Sequence, residues 1–108
     1  MKMKKVKVMT LNGCALCAHL MKELEAFNIN YATLDANNHS EYAYELESML
    51  DTLKYPIVEL LQGSDTYYIY LTDEYSKLGV TPLSAGIIKV ACFSVENIIN
   101  RIKFILNT

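Results

Sequence analysis

No stretch of this chain reaches the ~18 consecutive apolar residues that a membrane-spanning helix needs. Nor is there a basic stripe with interleaved aromatics, the footprint of a nucleic-acid binder. Acids and bases are scattered, and the net charge is −2. Cysteines are few: Cys14, Cys17 and Cys92 are an odd number, and too low a count for a scaffold built on disulfides. No repeat, low-complexity tract or linker divides the 108 residues, so one domain over 1–108 is expected. Tryptophan is absent while tyrosine occurs eight times, a bias that names no function. With 52% hydrophobic residues, a domain of this length buries a core without staples. The start, Met1-Lys2-Met3-Lys4-Lys5, is basic, as a signal peptide's would be. The apolar run after it is short, Lys7 breaks it, and no small-residue cleavage site follows at the usual distance. A cytoplasmic protein is therefore expected. Lys2, Lys4, Lys5 and Lys7 are read as strand-edge lysines that discourage edge-to-edge pairing.

The remaining pattern is regular. Residues 5–11, KVKVMTL, alternate polar and apolar, which predicts a strand. Asn12 and Gly13 break it. From Cys14 to Asn28, the residues Cys17, Leu20, Met21, Leu24 and Phe27 recur at helical spacing. A second strand is expected over 29–35, then a turn at Ala36-Asn37-Asn38. Ser40–Leu53 predicts a second helix, with Leu46, Met49, Leu50 and Leu53 on its apolar face and Asn38 or Ser40 as its cap. Pro56 leads into a third strand at 57–61, a position where proline is tolerated. Gln62-Gly63-Ser64-Asp65 turns the chain into a fourth strand, Thr66–Leu71, paired as a hairpin. On it, Tyr68 and Tyr70 share one face, and Tyr67, Ile69 and Leu71 the other. One face is expected to be core, and the other sheet surface or a partner patch. The stretch from Thr72 to Phe93 is irregular, with a helical turn suggested within 73–78 and a short strand within 86–90. Ser94 then caps a last helix carrying Val95, Ile98, Ile99, Ile102 and Ile105 on one face.

The segment TLNGCALCAHL carries the chemistry. In a reducing compartment, a Cys-x-x-Cys pair points to catalysis or metal binding more than to a structural bond. Cys14 falls at the strand-to-helix junction, where unpaired N–H groups and the positive end of the helix dipole stabilise a thiolate. Cys17 lies about one turn on and deeper in the fold. An exposed nucleophile with a shielded second thiol beside it suits thiol–disulfide exchange.

With these residues placed, the chain resembles a glutaredoxin, a member of the thioredoxin-fold superfamily. The resemblance rests on the strand KVKVMTL, on Cys14-Ala15-Leu16-Cys17 opening a helix, on the β-α unit after it, and on Tyr55-Pro56 before strand three. Pro56 stands 42 residues after Cys14, an interval at which that family places a cis-proline facing the active site. The resemblance implies an α/β, thioredoxin-like fold of glutaredoxin type. That fold is a four-stranded mixed sheet flanked by helices, here with an insertion at 72–90 before the last helix. It also implies a monomeric dithiol–disulfide oxidoreductase in which Cys14 attacks and Cys17 resolves. Glutathione would be the co-substrate and disulfide-containing proteins, ribonucleotide reductase among them, the partners. Gly13, Leu16, Lys54, Tyr55, Pro56, Cys92 and Ser94 are the positions it assigns to binding.

Several positions depart from the family's pattern. The usual Pro-Tyr between the cysteines is Ala15-Leu16. The lysine three residues before the first cysteine, which pairs with a glutathione carboxylate, is Leu11. Lys54 is the candidate to supply that charge instead. Cys92 by itself reads as a small buried hydrophobe, but Ala91-Cys92 stands where the family has a glycine pair, which would bring the Cys92 thiol near the active site. Ser94 replaces an acidic helix cap. These departures keep other readings open: reduction by a thioredoxin-reductase-type flavoenzyme, or a redox-silent binding module using 72–90 as its contact surface. A metal site would have only Cys92, His19 and His39 to complete the four ligands a structural zinc takes, and none is expected. His19 is read as a solvated residue on the polar side of the first helix, and His39 as a helix-start residue. Neither is expected to act as a base.

Overall fold

Two apolar faces on one sheet dictate the architecture. The structure is a computed structural model that describes residues 5–107. The readings made for Lys2 and Lys4 lie outside the described residues. The strands are β1 (Val6–Thr10), β2 (Ala32–Asp35), β3 (Ile57–Gln62), β4 (Asp65–Leu71), β5 (Gly79–Ser84) and β6 (Ile87–Cys92). The helices are α1 (Ala15–Ala26), α2 (Ser40–Leu50) and α3 (Val95–Leu106), with a single 3-10 turn at Tyr75–Lys77. The strands form one open mixed sheet in the order β2-β1-β3-β4-β6-β5. β1/β2 and β4/β6 are parallel, and the other neighbours are antiparallel. Among the described residues, no helix is long and apolar enough to cross a membrane.

Alternation along each strand splits the core in two. Val6, Val8, Val58, Leu60, Ile69, Leu71 and Val90 face α1 and α3. Leu20 and Leu24 meet them from α1, and the Ile98, Ile99, Ile102 and Ile105 stripe from α3. Met9, Ile57, Tyr70 and Ala91 face the opposite way, under Ala43, Leu46 and Leu50 of α2. Burying each of these larger side chains contributes about 1.5–3 kcal/mol. The side chain of Ser94 accepts the N–H of Asn97 and starts α3 where expected.

The expectation of four strands is corrected to six. The segment written as an insertion supplies β5 and β6, and β6 pairs with β4 along its whole length, from Thr66↔Ile87 to Leu71↔Cys92. β5 leaves little trace in the side-chain pattern because five of its six residues are exposed, and among the described residues the strand it pairs with is β6. Pro82 and the register shift beside it suit an edge strand, where no partner needs the missing N–H.

Other expectations change with this topology. β1 lies inside the sheet between β2 and β3, so Lys7 is not an edge lysine. It stands opposite Glu59 of β3, 3.8 Å away. Glu59 also accepts the hydroxyls of Tyr42 and Tyr68, so the Tyr68–Tyr70 face is a second core beneath α2, not open surface. α2 ends at Leu50 because Asp51 turns left-handed at φ 53°. Leu53 is therefore off the helix and 81% exposed. The α2 cap position is His39, with no side-chain bond, instead of Asn38 or Ser40. Asp35 accepts the N–H of Asn37 and turns the chain just ahead of it.

The β5–β6 hairpin docks on the β3–β4 turn through its backbone. Thr66 N–H donates to the Gly86 carbonyl at 2.7 Å. A Cβ on Gly86, at φ 77°, would sit 2.9 Å from the Ser64 carbonyl oxygen, whereas one on Gly63 meets nothing within 4 Å. Gly86→Ala should therefore destabilise the protein by about 2–3 kcal/mol, and Gly63→Ala by about 1 kcal/mol. Urea unfolding of the two variants checks the order.

Candidate active site

The β1–α1 junction is built by a turn that needs glycine. Gly13 takes φ 73°, and the Cys14 N–H returns to the Leu11 carbonyl at 3.3 Å. That bend places Cys14 at the N-cap of α1 in an extended conformation, φ −84° and ψ 102°. Its sulfur accepts the N–H of Cys17 at 3.1 Å. The Cα atoms of the two cysteines are 5.2 Å apart, and their sulfurs are joined as a disulfide. The two partners differ in exposure. Cys17 is 1% exposed and belongs to the α2-side core, whereas Cys14 is half-buried at the surface. No acidic residue occupies the first turn of α1, so nothing there offsets the positive end of the helix.

The other wall of the site comes from the start of β3. The Tyr55–Pro56 bond is cis, and the Tyr55 carbonyl oxygen lies 3.8 Å from Cys14 Sγ. Tyr55 itself is buried, and its hydroxyl donates to Glu47 of α2 at 2.6 Å. Burial first, and that carboxylate second, hold the Tyr55 phenol well above the usual tyrosine range. This keeps it a neutral donor and fixes the ring.

Leu16, which stands between the two cysteines, lines a cavity of about 240 Å³ together with His19, Lys54, Thr72, Asp73, Phe93, Ser94 and Glu96, while Cys14, Cys17, Tyr55 and Pro56 are not part of its lining. Leu16, Lys54 and Ser94, assigned to binding from widely separated parts of the sequence, thus meet on one surface. Thr72, Asp73, Phe93 and Glu96 went unnoticed in the sequence. Phe93 adjoins Ser94 and was within reach of inference, but nothing marks Asp73. His19 is not merely solvated, since its Nε2 lies 3.6 Å from a Glu96 carboxylate oxygen. Leu11, Leu16, Tyr75 and Phe93 are exposed apolar side chains, with Tyr75 stacked on Phe93 at 5.3 Å between ring centroids.

Cys92 is the small buried residue its type suggests, and its thiol is not brought to the binding surface that the resemblance assigns to it. The residue is 3% exposed in the α1/α3 core, a free thiol that does not share the cavity lined by Leu16. The reason is β6: the strand carries alternate residues to opposite faces, Ala91 toward α2 and Cys92 toward α3. What Cys92 offers Thr72 is its carbonyl oxygen, which accepts the Thr72 N–H at 2.9 Å. Among the described residues, no group of three or more His, Cys, Asp or Glu could hold a metal ion. His39 sits at the start of α2, with its ring at 3.2 Å from the Asp35 carbonyl oxygen.

No protein-family model matches the chain, and a search of curated proteins finds no match.

Burial pushes the Cys92 thiol up to about 11 from 9.0. Its folded-state value lies above the unfolded one, so the neutral thiol's contribution to stability is complete below about pH 9. It fades as pH rises through about 11, by on the order of 2 kcal/mol. Cys92→Ala should flatten the fall in unfolding free energy between those pH values. With the protein reduced by dithiothreitol, iodoacetamide near pH 6 should modify Cys14 quickly. Cys17 and Cys92 should label only on unfolding, as peptide mass mapping would show.

Proposed function

We propose that this protein is a dithiol–disulfide oxidoreductase of the thioredoxin-like, glutaredoxin type. The observation that carries the reading is the asymmetric cysteine pair. Cys14 is an accessible N-cap whose sulfur already accepts a backbone N–H, and Cys17 is buried one turn behind it. The arrangement of β1 to β4, with α1 and α3 on one face and α2 on the other, is compatible with such a fold. β5 and β6 extend it.

The geometry supports an exchange in two steps. In the reduced protein, the Cys14 thiolate attacks one sulfur of a substrate disulfide. A Cys14–substrate S–S bond forms, the substrate's own bond breaks, and its second sulfur leaves as a thiolate that takes a proton from water. Cys17 then loses its proton to solvent and attacks Cys14 Sγ. The internal disulfide closes and releases the second substrate thiol. Two electrons have moved from the protein dithiol to the substrate. The Tyr55 carbonyl beside Cys14 is available to accept an N–H from an extended substrate chain, and Leu16 offers apolar contact. Disulfides in proteins, ribonucleotide reductase among them, are the substrate class the resemblance implies.

The dithiol is then restored by a thiol donor. Glutathione is the donor the resemblance implies. A second reading, a thioredoxin-reductase-type flavoenzyme, is favoured by one observation: Leu11 leaves no cation at the position that grips a glutathione carboxylate.

Turnover of a glutathione mixed disulfide, coupled to glutathione reductase and NADPH, tests the reading. Cys14→Ser should bring the rate to background. Cys17→Ser should keep the first exchange and accumulate a mixed disulfide on Cys14, visible by mass spectrometry. If glutathione fails as reductant while thioredoxin reductase with NADPH reduces the protein, the second donor holds. A Cys14 that exchanges with no disulfide in either system would overturn the oxidoreductase reading in favour of a binding module.

A further inference from the structure

The cavity that Leu16 lines adjoins a second, of about 570 Å³, and the two share Lys54, Leu71, Thr72 and Asp73. Across that shared ridge Lys54 Nζ contacts Asp73 Oδ2 at 3.0 Å. In the second cavity Lys77 is engaged in the same way, by Asp51 at 2.8 Å and Glu74 at 3.4 Å. Apart from His19, these two lysines are the cationic side chains among the described residues that line the two cavities. Each is neutralised by a carboxylate of the chain itself. The carboxylate of Glu96 lines the first cavity too, 3.6 Å from His19 Nε2. The partner of Lys54 comes from the segment linking β4 to β5.

Resting on the oxidoreductase reading, we propose that Asp73 sets the charge preference of the site. It occupies the anion position of Lys54, so that disulfides with neutral or cationic groups beside the reacting sulfur are taken in preference to anionic ones. An anionic substrate must displace the Asp73 carboxylate before it can use Lys54, and it meets Glu96 as well. A neutral or basic one leaves the pair intact. The exposed side chains of Leu16 and Phe93 give the apolar part of such a substrate a surface to lie on. The Lys54 and Asp73 side chains are 47% and 80% exposed, so the pair is solvent-screened and the discrimination it imposes is modest.

Three small disulfides of matched size provide the test: cystamine, hydroxyethyl disulfide and dithiodipropionate, which carry positive, no and negative charge. The protein is reduced with dithiothreitol, freed of it, and mixed with each. The rate at which Cys14 ceases to be alkylatable is the readout. At low salt, the order should be cystamine fastest and dithiodipropionate slowest. Asp73→Asn should raise the dithiodipropionate-to-hydroxyethyl rate ratio by about threefold, the scale of an exposed ion pair. Adding Lys54→Ala to Asp73→Asn should return the ratio toward wild type. A ratio unchanged in Asp73→Asn, or a rise that persists without Lys54, overturns the assignment. If no disulfide oxidises the wild-type protein, it is the oxidoreductase reading that falls, and this proposal falls with it.

Discussion

The placement of Leu20 and Leu24 against the sheet is the constraint on which the site depends. Both are fully buried between α1 and the Val6–Val8 face of β1, which fixes the rotation of α1 about its axis. Once that rotation is set, the first turn has no freedom. Gly13 supplies the left-handed bend that lets the chain leave β1 and enter the helix within a few residues. Cys14 must then be the cap, and Cys17, one turn along, must point inward. The sulfur-to-N–H contact between them is a consequence of packing far down the helix. A helix end whose N–H groups lack intrahelical partners is satisfied by whatever the cap offers. Here the cap offers sulfur, which is a weaker acceptor than the oxygen of serine or aspartate but a far better nucleophile.

The two strands beyond β4 change the molecule in a way that reaches this site. Without them β4 would be an edge. With β6 on its outer side, Tyr70 and Leu71 are enclosed, and β6 runs directly into Ser94 and α3. The link from β4 to β5 must leave the sheet at Leu71, next to the mouth of the cavity. Its first residues, Thr72 and Asp73, therefore become part of the cavity wall. The hydrogen bond from Thr72 N–H to the Cys92 carbonyl continues the β4–β6 pairing one residue further and holds that exit in place. A sheet extension that serves stability thus also sets the polar lining of the site.

Legibility from sequence followed the strength of the local signal. The start of α3 was readable to the residue because a serine cap and five branched side chains at helical spacing agree with one another. The Cys14–Cys17 junction was readable for the same reason: strand alternation stops, a glycine follows, and helical spacing begins. β5 was not readable, since GVTPLS buries almost nothing and is held by main-chain bonds that leave no trace in side-chain pattern. The edge role given to Lys7 and the binding role given to Cys92 failed differently. Each residue type was read correctly in isolation, but its role turns on which strand lies beside it, and neither the pairing of Lys7 with Glu59 nor that of Cys92 with Leu71 has a local signature. Leu53 looked like one more position of an apolar stripe because the periodicity runs past the point where Asp51 ends the helix. Lys54 and Asp73 meet only through tertiary structure, and neither has a neighbour in sequence that hints at the other.

The difference in burial between the two cysteines also gives the proposed exchange its direction. When the bond opens, the charge that appears on sulfur is favoured at Cys14, which has solvent on one side and helix N–H groups on the other. It is disfavoured at Cys17, which lies among Met9, Ala43, Tyr55 and Ile57 in the core beneath α2. Desolvation makes Cys17 a poor first nucleophile, and proximity offsets that cost in the second step. Its target sulfur is then adjacent and needs no approach through water. Tyr55 contributes by being anchored: its buried ring is tied to Glu47 through the hydroxyl, and its carbonyl oxygen lies beside Cys14. Position, more than any acid or base, is what this site supplies, and that is consistent with His19 and His39 both lying in contacts that do not involve the cysteines.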